Sequence, residues 1–332
     1  MTPKFLPDDV PNLTGKVAIV TGPKRGLGLE TVHLLARRGC TVYLAGRGDL
    51  VQTIADLKKA RPDVANAELY PLELDLSSIT TAAAAADRFP GERLDIVIAN
   101  AGISMNNSVA PSPEGWEHHF QTNHLGHFAF IEGLLPLLVE SPEARIVVTS
   151  SEAYKFATKG IDFDSLRKDV DPSLLGLMGC MKRYGQSKLA NTLYVRELQR
   201  RLLEKGVKNV YVNAANPGVI ASTGLGGDGS QFGLPKFVPV ALRKVGGALI
   251  GFNLQGGAMT QVWAATARNI VDEDIRGQYI MPAMGWSGGY HHSKVADPLD
   301  HAKDDEAAKK LWEVSVKAVT EAEAKAGHGG LN

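Results

Sequence analysis

Tyr184 and Lys188 stand four residues apart, the spacing at which two side chains share one face of a helix and lie side by side. A phenol with a pKa of about 10 is a poor proton shuttle near neutrality, but a neighbouring ammonium stabilises the phenolate and draws that pKa toward the working range. The pair can therefore serve as general acid or base toward an oxygen atom. Ser150 and Ser151 close the apolar, β-branched run of residues 145–149. A hydroxyl at a strand end can polarise the same oxygen, or simply cap the next turn. Asn123 falls within the apolar periodicity of residues 113–138, where an unpartnered amide costs on the order of 1–3 kcal/mol. It either satisfies a backbone carbonyl or serves the site. His118, His119, His124 and His127 lie on the same stretch, but no acid or cysteine one turn away completes a metal set around His124 and His127. All four read as packing or surface residues, and the proton chemistry needs no metal.

The chain also offers, near its start, a place for a dinucleotide. Residues 16–20 read as a strand buried on both faces. The strand ends in Thr21, Gly22, Lys24, Arg25, Gly26, Leu27 and Gly28, after which Val32, Leu35 and Ala36 recur at helical spacing up to Gly39. Glycines let a ligand approach the backbone, and the free N–H groups at a helix start attract phosphate, so a dinucleotide pyrophosphate is the expected tenant. A second strand, residues 41–45, runs into Gly46 and Arg47. At that place an acid would bind a free ribose 2′-hydroxyl and an arginine would meet a 2′-phosphate. With Lys24 and Arg25 also available and no acid at the strand end, NADP(H) is expected rather than NAD(H).

The other elements alternate in the same manner. A helix over 50–59, a strand over 69–74 interrupted by Pro71, an alanine-rich helix over 80–86 and a strand over 94–98 precede the long helix of 113–138. A fifth strand covers 145–151, Tyr184 opens a long helix toward Gly206, and strands follow over 210–214 and 279–281, the last closing the sheet. An amphipathic helix over 304–326 contains Trp312. This order predicts one α/β domain over 13–282, a doubly wound parallel sheet of Rossmann type with helices on both faces. An N-terminal arm (1–12) and a C-terminal extension (283–332) flank it.

Bulk properties narrow the partners. The chain has 332 residues, enough for a full core, and no Pro/Gly/Ser linker divides it. Basic and acidic residues number 36 each, so the overall field gives no reason to expect nucleic acid or an anionic membrane, and a small neutral molecule fits better. Two cysteines, Cys40 and Cys180, make no disulfide framework and suit a reduced cytoplasmic setting. Residues 1–12 are polar and proline-containing and are expected to form a surface arm, with no membrane span.

Gly22, Gly26 and Gly28 follow a T-G-x-x-x-G-x-G spacing. Together with Asn100, Ala101 and Gly102 after the fourth strand, Asn123, the strand-end serine and the Tyr184/Lys188 pair, all in this order, they make the chain resemble the short-chain dehydrogenase/reductase family over most of its length. The resemblance implies that Tyr184 exchanges the proton with the carbonyl oxygen, Lys188 lowers its pKa and holds the nicotinamide ribose, and Ser151, as the second of its pair, polarises the carbonyl. It implies that Asn123 holds a water that links the lysine to solvent. Asp75 and Leu76 would border the adenine, and Asn100, Ala101 and Gly102 would shape the cofactor side. The turn of Pro217, Gly218 and Val219 would contact the carboxamide, with Ser222 or Thr223 as the following hydroxyl.

Two departures bear on substrate. The separation of Ser151 from Tyr184 exceeds the commonest family arrangement, and with Asn123 through Phe128, Ser187 through Asn191 and Lys310 through Trp312 it looks most like the branch of retinol dehydrogenases, WW-domain oxidoreductases and protochlorophyllide reductases. Several of that branch carry a membrane anchor that residues 1–12 do not resemble, so a retinoid is not assumed. Residues 224–257 are glycine-rich and then apolar, which suits a mobile lid over about 220–257. Such a lid, with Met178, Met181 and Trp286 as walls, implies a lipophilic or polycyclic carbonyl. The leading expectation is an NADPH-dependent ketone or aldehyde reductase. C=C reduction on the same fold and a non-catalytic NADP(H) sensor are the rivals, and a homodimer through the helices bearing Asn123 and Tyr184 is usual in the family unless the insertion or tail covers them.

Overall fold

In the computed structural model, residues 4–104, 110–167, 176–218, 254–284 and 290–327 are described. β1 (Val17–Thr21) is buried along four of its five residues and leads through the glycine turn into α1 (Gly26–Ala36). β2 (Thr41–Gly46), α2 (Leu50–Ala60), β3 (Leu69–Glu73), α3 (Ile79–Asp87) and β4 (Ile96–Ala99) complete the first half. The second half contains α4 (Gly126–Glu140), β5 (Ala144–Thr149), α5 (Gly176–Glu204), β6 (Val210–Ala215), α6 (Leu254–Thr266), β7 (Tyr279–Met284), β8 (Tyr290–Ala296) and α7 (Asp305–Ala326). One sheet of eight strands runs in the order β3-β2-β1-β4-β5-β6-β7-β8. Seven strands are parallel, and β8 returns antiparallel against β7. The order reverses between β1 and β4, which opens a crevice at their carboxyl ends.

Two apolar layers sandwich the sheet. Residues such as Ala82 of α3, Phe128 of α4, Leu193 of α5 and Leu311 of α7 fill one layer. Val32 of α1, Ile54 of α2 and Met259 of α6 fill the other. Pro71 is tolerated because β3 is the edge strand, where one side of the backbone has no ladder to complete.

Several boundaries differ from the sequence reading. The sheet does not end at Met281: β7 continues to Met284 and β8 pairs with it, so a domain limit at 282 cuts through a strand. The helix expected from residue 113 begins at His118, because Gly115 takes φ +81° and the Glu117 side chain caps the new start by accepting from Phe120 N. It then loosens into a π-helical turn over Gln121–Leu125 before α4. Tyr184 does not open its helix but lies within α5, whose first described residue is Gly176. Most of the expected lid lies outside the described residues, and residues 254–257 belong to the buried start of α6.

Candidate active site

The crevice at the switch point is a single cleft of about 1010 Å³. Its floor is the first turn of α1. Arg25, the residue before the helix, has an extended backbone and provides no side-chain cap, which leaves the N–H groups of Gly26, Leu27 and Gly28 directed to the cleft. A side chain at Gly28 would meet the Gly22 carbonyl oxygen at 2.3 Å and Asn100 Nδ2 at 2.6 Å, and one at Gly22 would meet Ala101 Cα at 2.9 Å. The glycines therefore keep two backbone segments in contact beneath a shallow concavity suited to a pyrophosphate. Residues that hold such a group are present, and the fold binds a dinucleotide in this crevice.

At one end of the cleft lie Lys24, Arg47, Asp75 and Leu76. Asp75 approaches Arg47 to 3.7 Å, a neighbour that β2 alone did not foretell. That pair is long and largely exposed, so it holds the guanidinium only weakly. Asn100, Ala101 and Gly102 line the middle, and Pro217 and Gly218 the opposite wall. Gly218 N donates to Asn216 Oδ1 at 3.0 Å, which fixes this turn. Val219, Ser222, Thr223 and Trp286 lie outside the described residues. Met178 is 69% exposed, and neither it nor Met181 lines the cleft.

Ser151, Tyr184 and Lys188 converge on the same cleft. The structure divides the serine pair. Ser150 turns inward and donates to the Lys188 carbonyl at 3.0 Å, whereas Ser151 lines the cleft with Tyr184 and, as a hydrogen-bonding neighbour, acts to lower the phenol's pKa. Lys188 Nζ donates to the Thr149 carbonyl at 2.9 Å and sits 5.7 Å from the centre of the Tyr184 ring. Burial pushes the Tyr184 phenol up to about 12 despite its bond to Ser151, and burial brings the Lys188 ammonium down to about 7. Without a dinucleotide, enclosure outweighs Ser151 in setting the phenol, because desolvation penalises the phenolate.

Thr21 and Asn123 are fully buried and stand behind the cleft rather than in it. The Asn123 amide is spent within the protein: Oδ1 accepts from Ile103 N at 2.8 Å, and Nδ2 donates to Ile103 O and to Ser187 Oγ, each at 2.9 Å. Its backbone carbonyl accepts from His127 Nδ1 at 3.1 Å. Thr21 Oγ1 accepts from Ala101 N at 2.8 Å and, because the neutral His127 ring donates through Nδ1, gives its hydroxyl proton to Nε2 at 2.9 Å. His127, which the sequence marks only as a packing histidine, therefore links the glycine turn to the π-helical turn. Burial keeps it neutral, with a pKa of about 4. His124 joins the π-helical turn to α7 through Ser315 Oγ at 2.8 Å. Among the described residues no group of three acidic, histidine or cysteine side chains could hold a metal ion. His118, read from the sequence as a packing or surface residue, and Thr122, which the sequence did not single out, lie one turn apart and also line the cleft. No helix among the described residues is long and apolar enough to cross a membrane.

Residues 16–161 match the family model for short chain dehydrogenases. Among the curated relatives, the short chain dehydrogenase/reductase dpchH of Colletotrichum higginsianum is 33% identical over 93% of this chain and 76% of its own length. Retinol dehydrogenase 14 of Mus musculus is 33% identical over 91% of this chain and 85% of its own. A solved structure of an uncharacterized protein from Mycobacterium Paratuberculosis superimposes with a TM-score of 0.72 at 27% identity, covering 96% of this chain and 98% of the other.

Proposed function

The chain belongs to the short chain dehydrogenase family, whose members act on carbonyl and alcohol groups with a nicotinamide dinucleotide, and from that premise we propose that it is an NADPH-dependent reductase of lipophilic ketones or aldehydes. One observation carries this reading: Ser151, Tyr184 and Lys188 line one cleft, with the Lys188 amino group 5.7 Å from the centre of the Tyr184 ring. When bound, the reduced nicotinamide supplies a hydride to the carbonyl carbon. Tyr184 gives its phenolic proton to the carbonyl oxygen as charge builds there, and Ser151 donates a hydrogen bond to the same oxygen. A phenol held up to about 12 is fully protonated at neutral pH, which suits the reducing direction. Lys188 holds the ribose, and the α1 turn, with Asn100, Ala101, Gly102, Pro217 and Gly218, holds the rest of the dinucleotide. Asn123 supports the site from behind through Ile103 and Ser187.

Lys24, Arg25 and Arg47 at the cleft's other end support a 2′-phosphate and hence NADP(H). Exposed apolar side chains close to Tyr184 in the chain, though not on the cleft lining, support a lipophilic substrate. Phe156 is 44% exposed, and its Cβ lies 3.2 Å from where a Gly185 side chain would begin, directly beside Tyr184. Leu177 and Met178 stand exposed less than two turns earlier on α5. The experiment is turnover of a panel of apolar ketones, aldehydes and enones with NADPH and with NADH, with products identified by NMR. Alcohol formation with NADPH preferred is expected. Saturated ketone from the enones, or no turnover of any member, would reject the reading.

A further inference from the structure

Gln261 lies on α6, outside the cleft lining, and is fully buried. Its side chain touches three parts of the site scaffold. Nε2 donates to Asn100 Oδ1 at 3.1 Å and to Thr149 Oγ1 at 2.8 Å, which uses both amide protons. Oε1 accepts from Thr31 Oγ1 of α1 at 2.8 Å. Asn100 cannot turn its amide over to suit a different partner, because its Nδ2 donates to the Thr21 carbonyl at 2.8 Å. Thr149 in turn offers its carbonyl to Lys188 Nζ at 2.9 Å and to Asn191 Nδ2 at 3.0 Å. One buried amide therefore joins the phosphate-binding helix, the Asn100 wall and the strand end that anchors Lys188.

We propose that Gln261 is a positioning residue for the dinucleotide, acting by holding the Asn100 amide against the glycine turn. The proposal rests on the NADP(H) reading. Asn100 Nδ2 lies 2.6 Å from where a Gly28 side chain would begin, so any tilt of this amide presses on the first turn of α1. The donor character of Gln261 is the essential property. An ionised carboxylate in its place still accepts from Thr31, and the Thr149 hydroxyl can rotate to donate to it, but it sets two acceptors face to face at Asn100. A protonated carboxyl restores a donor there.

The test is NADPH binding by fluorescence titration for wild type, Gln261→Glu and Gln261→Met at pH 5.5 and 8.5, each variant expressed as a ratio to wild type at the same pH. For Gln261→Glu a Kd ratio of about tenfold is expected at pH 8.5, about one buried hydrogen bond, falling toward one at pH 5.5, where a buried carboxyl is protonated. Gln261→Met, which donates at no pH, is expected to show about the same tenfold ratio at both. A ratio near one for Gln261→Met, or an unchanged ratio for Gln261→Glu across the two pH values, overturns the proposal. Wild type that does not bind NADPH overturns it through its premise, an outcome separate from the other two. Should the Gln261 variants fail to fold, Thr31→Val frees Oε1 and lets the amide turn; a roughly threefold rise in Kd supports the proposal and an unchanged Kd overturns it.

Discussion

At the scale of single residues, the site is a balance between enclosure and charge. Lys188 illustrates it best. Its ammonium is depressed from 10.5 to about 7 by burial, so between those values the folded state carries fewer protons than the unfolded state and stability rises with pH. Below pH 7 the whole desolvation penalty is present. Lys188→Met removes it, while Asn191 still satisfies the Thr149 carbonyl at 3.0 Å. The dinucleotide-free variant is therefore expected to melt above wild type at pH 6, with the difference shrinking toward pH 10, and to lose turnover. A lower melting temperature at pH 6 would show that Lys188 stabilises the empty fold. Arg47, by contrast, is largely exposed and its one described carboxylate partner is 3.7 Å away. Arg47→Asp is expected to lower the NADPH-to-NADH ratio of kcat/KM by about 10- to 100-fold, in line with loss of one charge-assisted pair of roughly 1.5–3 kcal/mol and gain of an acid for the 2′-hydroxyl. An unchanged ratio would remove Arg47 from the 2′-phosphate site.

At the scale of elements, α7 is the piece that the sheet pattern does not demand. It lies across α4 and α5: the Trp312 ring stacks on Tyr194 at 6.1 Å and meets Phe128 edge-on at 5.2 Å, and Arg201 covers it at 4.5 Å. Trp312→Ala is expected to cost roughly 2–4 kcal/mol, less than a fully buried tryptophan because Trp312 is only partly buried, and to lower the melting temperature without changing coenzyme preference. A shift under a degree would place α7 outside the cooperative unit. Sequence patterns revealed most strands and the phosphate turn, because buried parallel strands are apolar throughout and glycine spacing is local. They did not reveal the π-helical turn at Gln121–Leu125 or the true start of the following helix, since 3.6 periodicity looks the same through a helix and a loosened turn. Nor did they reveal β8, because the run Tyr290, His291, His292, Ser293 and Lys294 lacks the continuous apolar character that marks the other strands. Tyr184 and Lys188 were legible from type and spacing, and Ser151 was separated from Ser150 only by the family resemblance. Gln261 and His127 were not, because a buried hydrogen-bonding residue has no signature until its partners, far away in the chain, are in place.

At the scale of the whole molecule, the outer face of α4 and α5 is already occupied. His124 to Ser315, Arg196 to Asp305 at 3.0 Å and the Trp312 cluster fasten α7 there. A second copy cannot use the same surface, so a dimer through these helices is not expected. Sedimentation at micromolar concentration is predicted to give the monomer mass; a dimer would mean that association uses another face or displaces α7.

The central claim is that Tyr184, set between Ser151 and Lys188, delivers the proton. The most direct measurement compares Tyr184→Phe with wild type in two readouts on one preparation, NADPH affinity and turnover of a reducible ketone. Loss of about a hundredfold to ten-thousandfold in kcat with NADPH Kd within about threefold is predicted, since general acid catalysis contributes on the order of 10²–10⁴-fold and the ring remains. Turnover within tenfold of wild type at unchanged affinity would contradict the account.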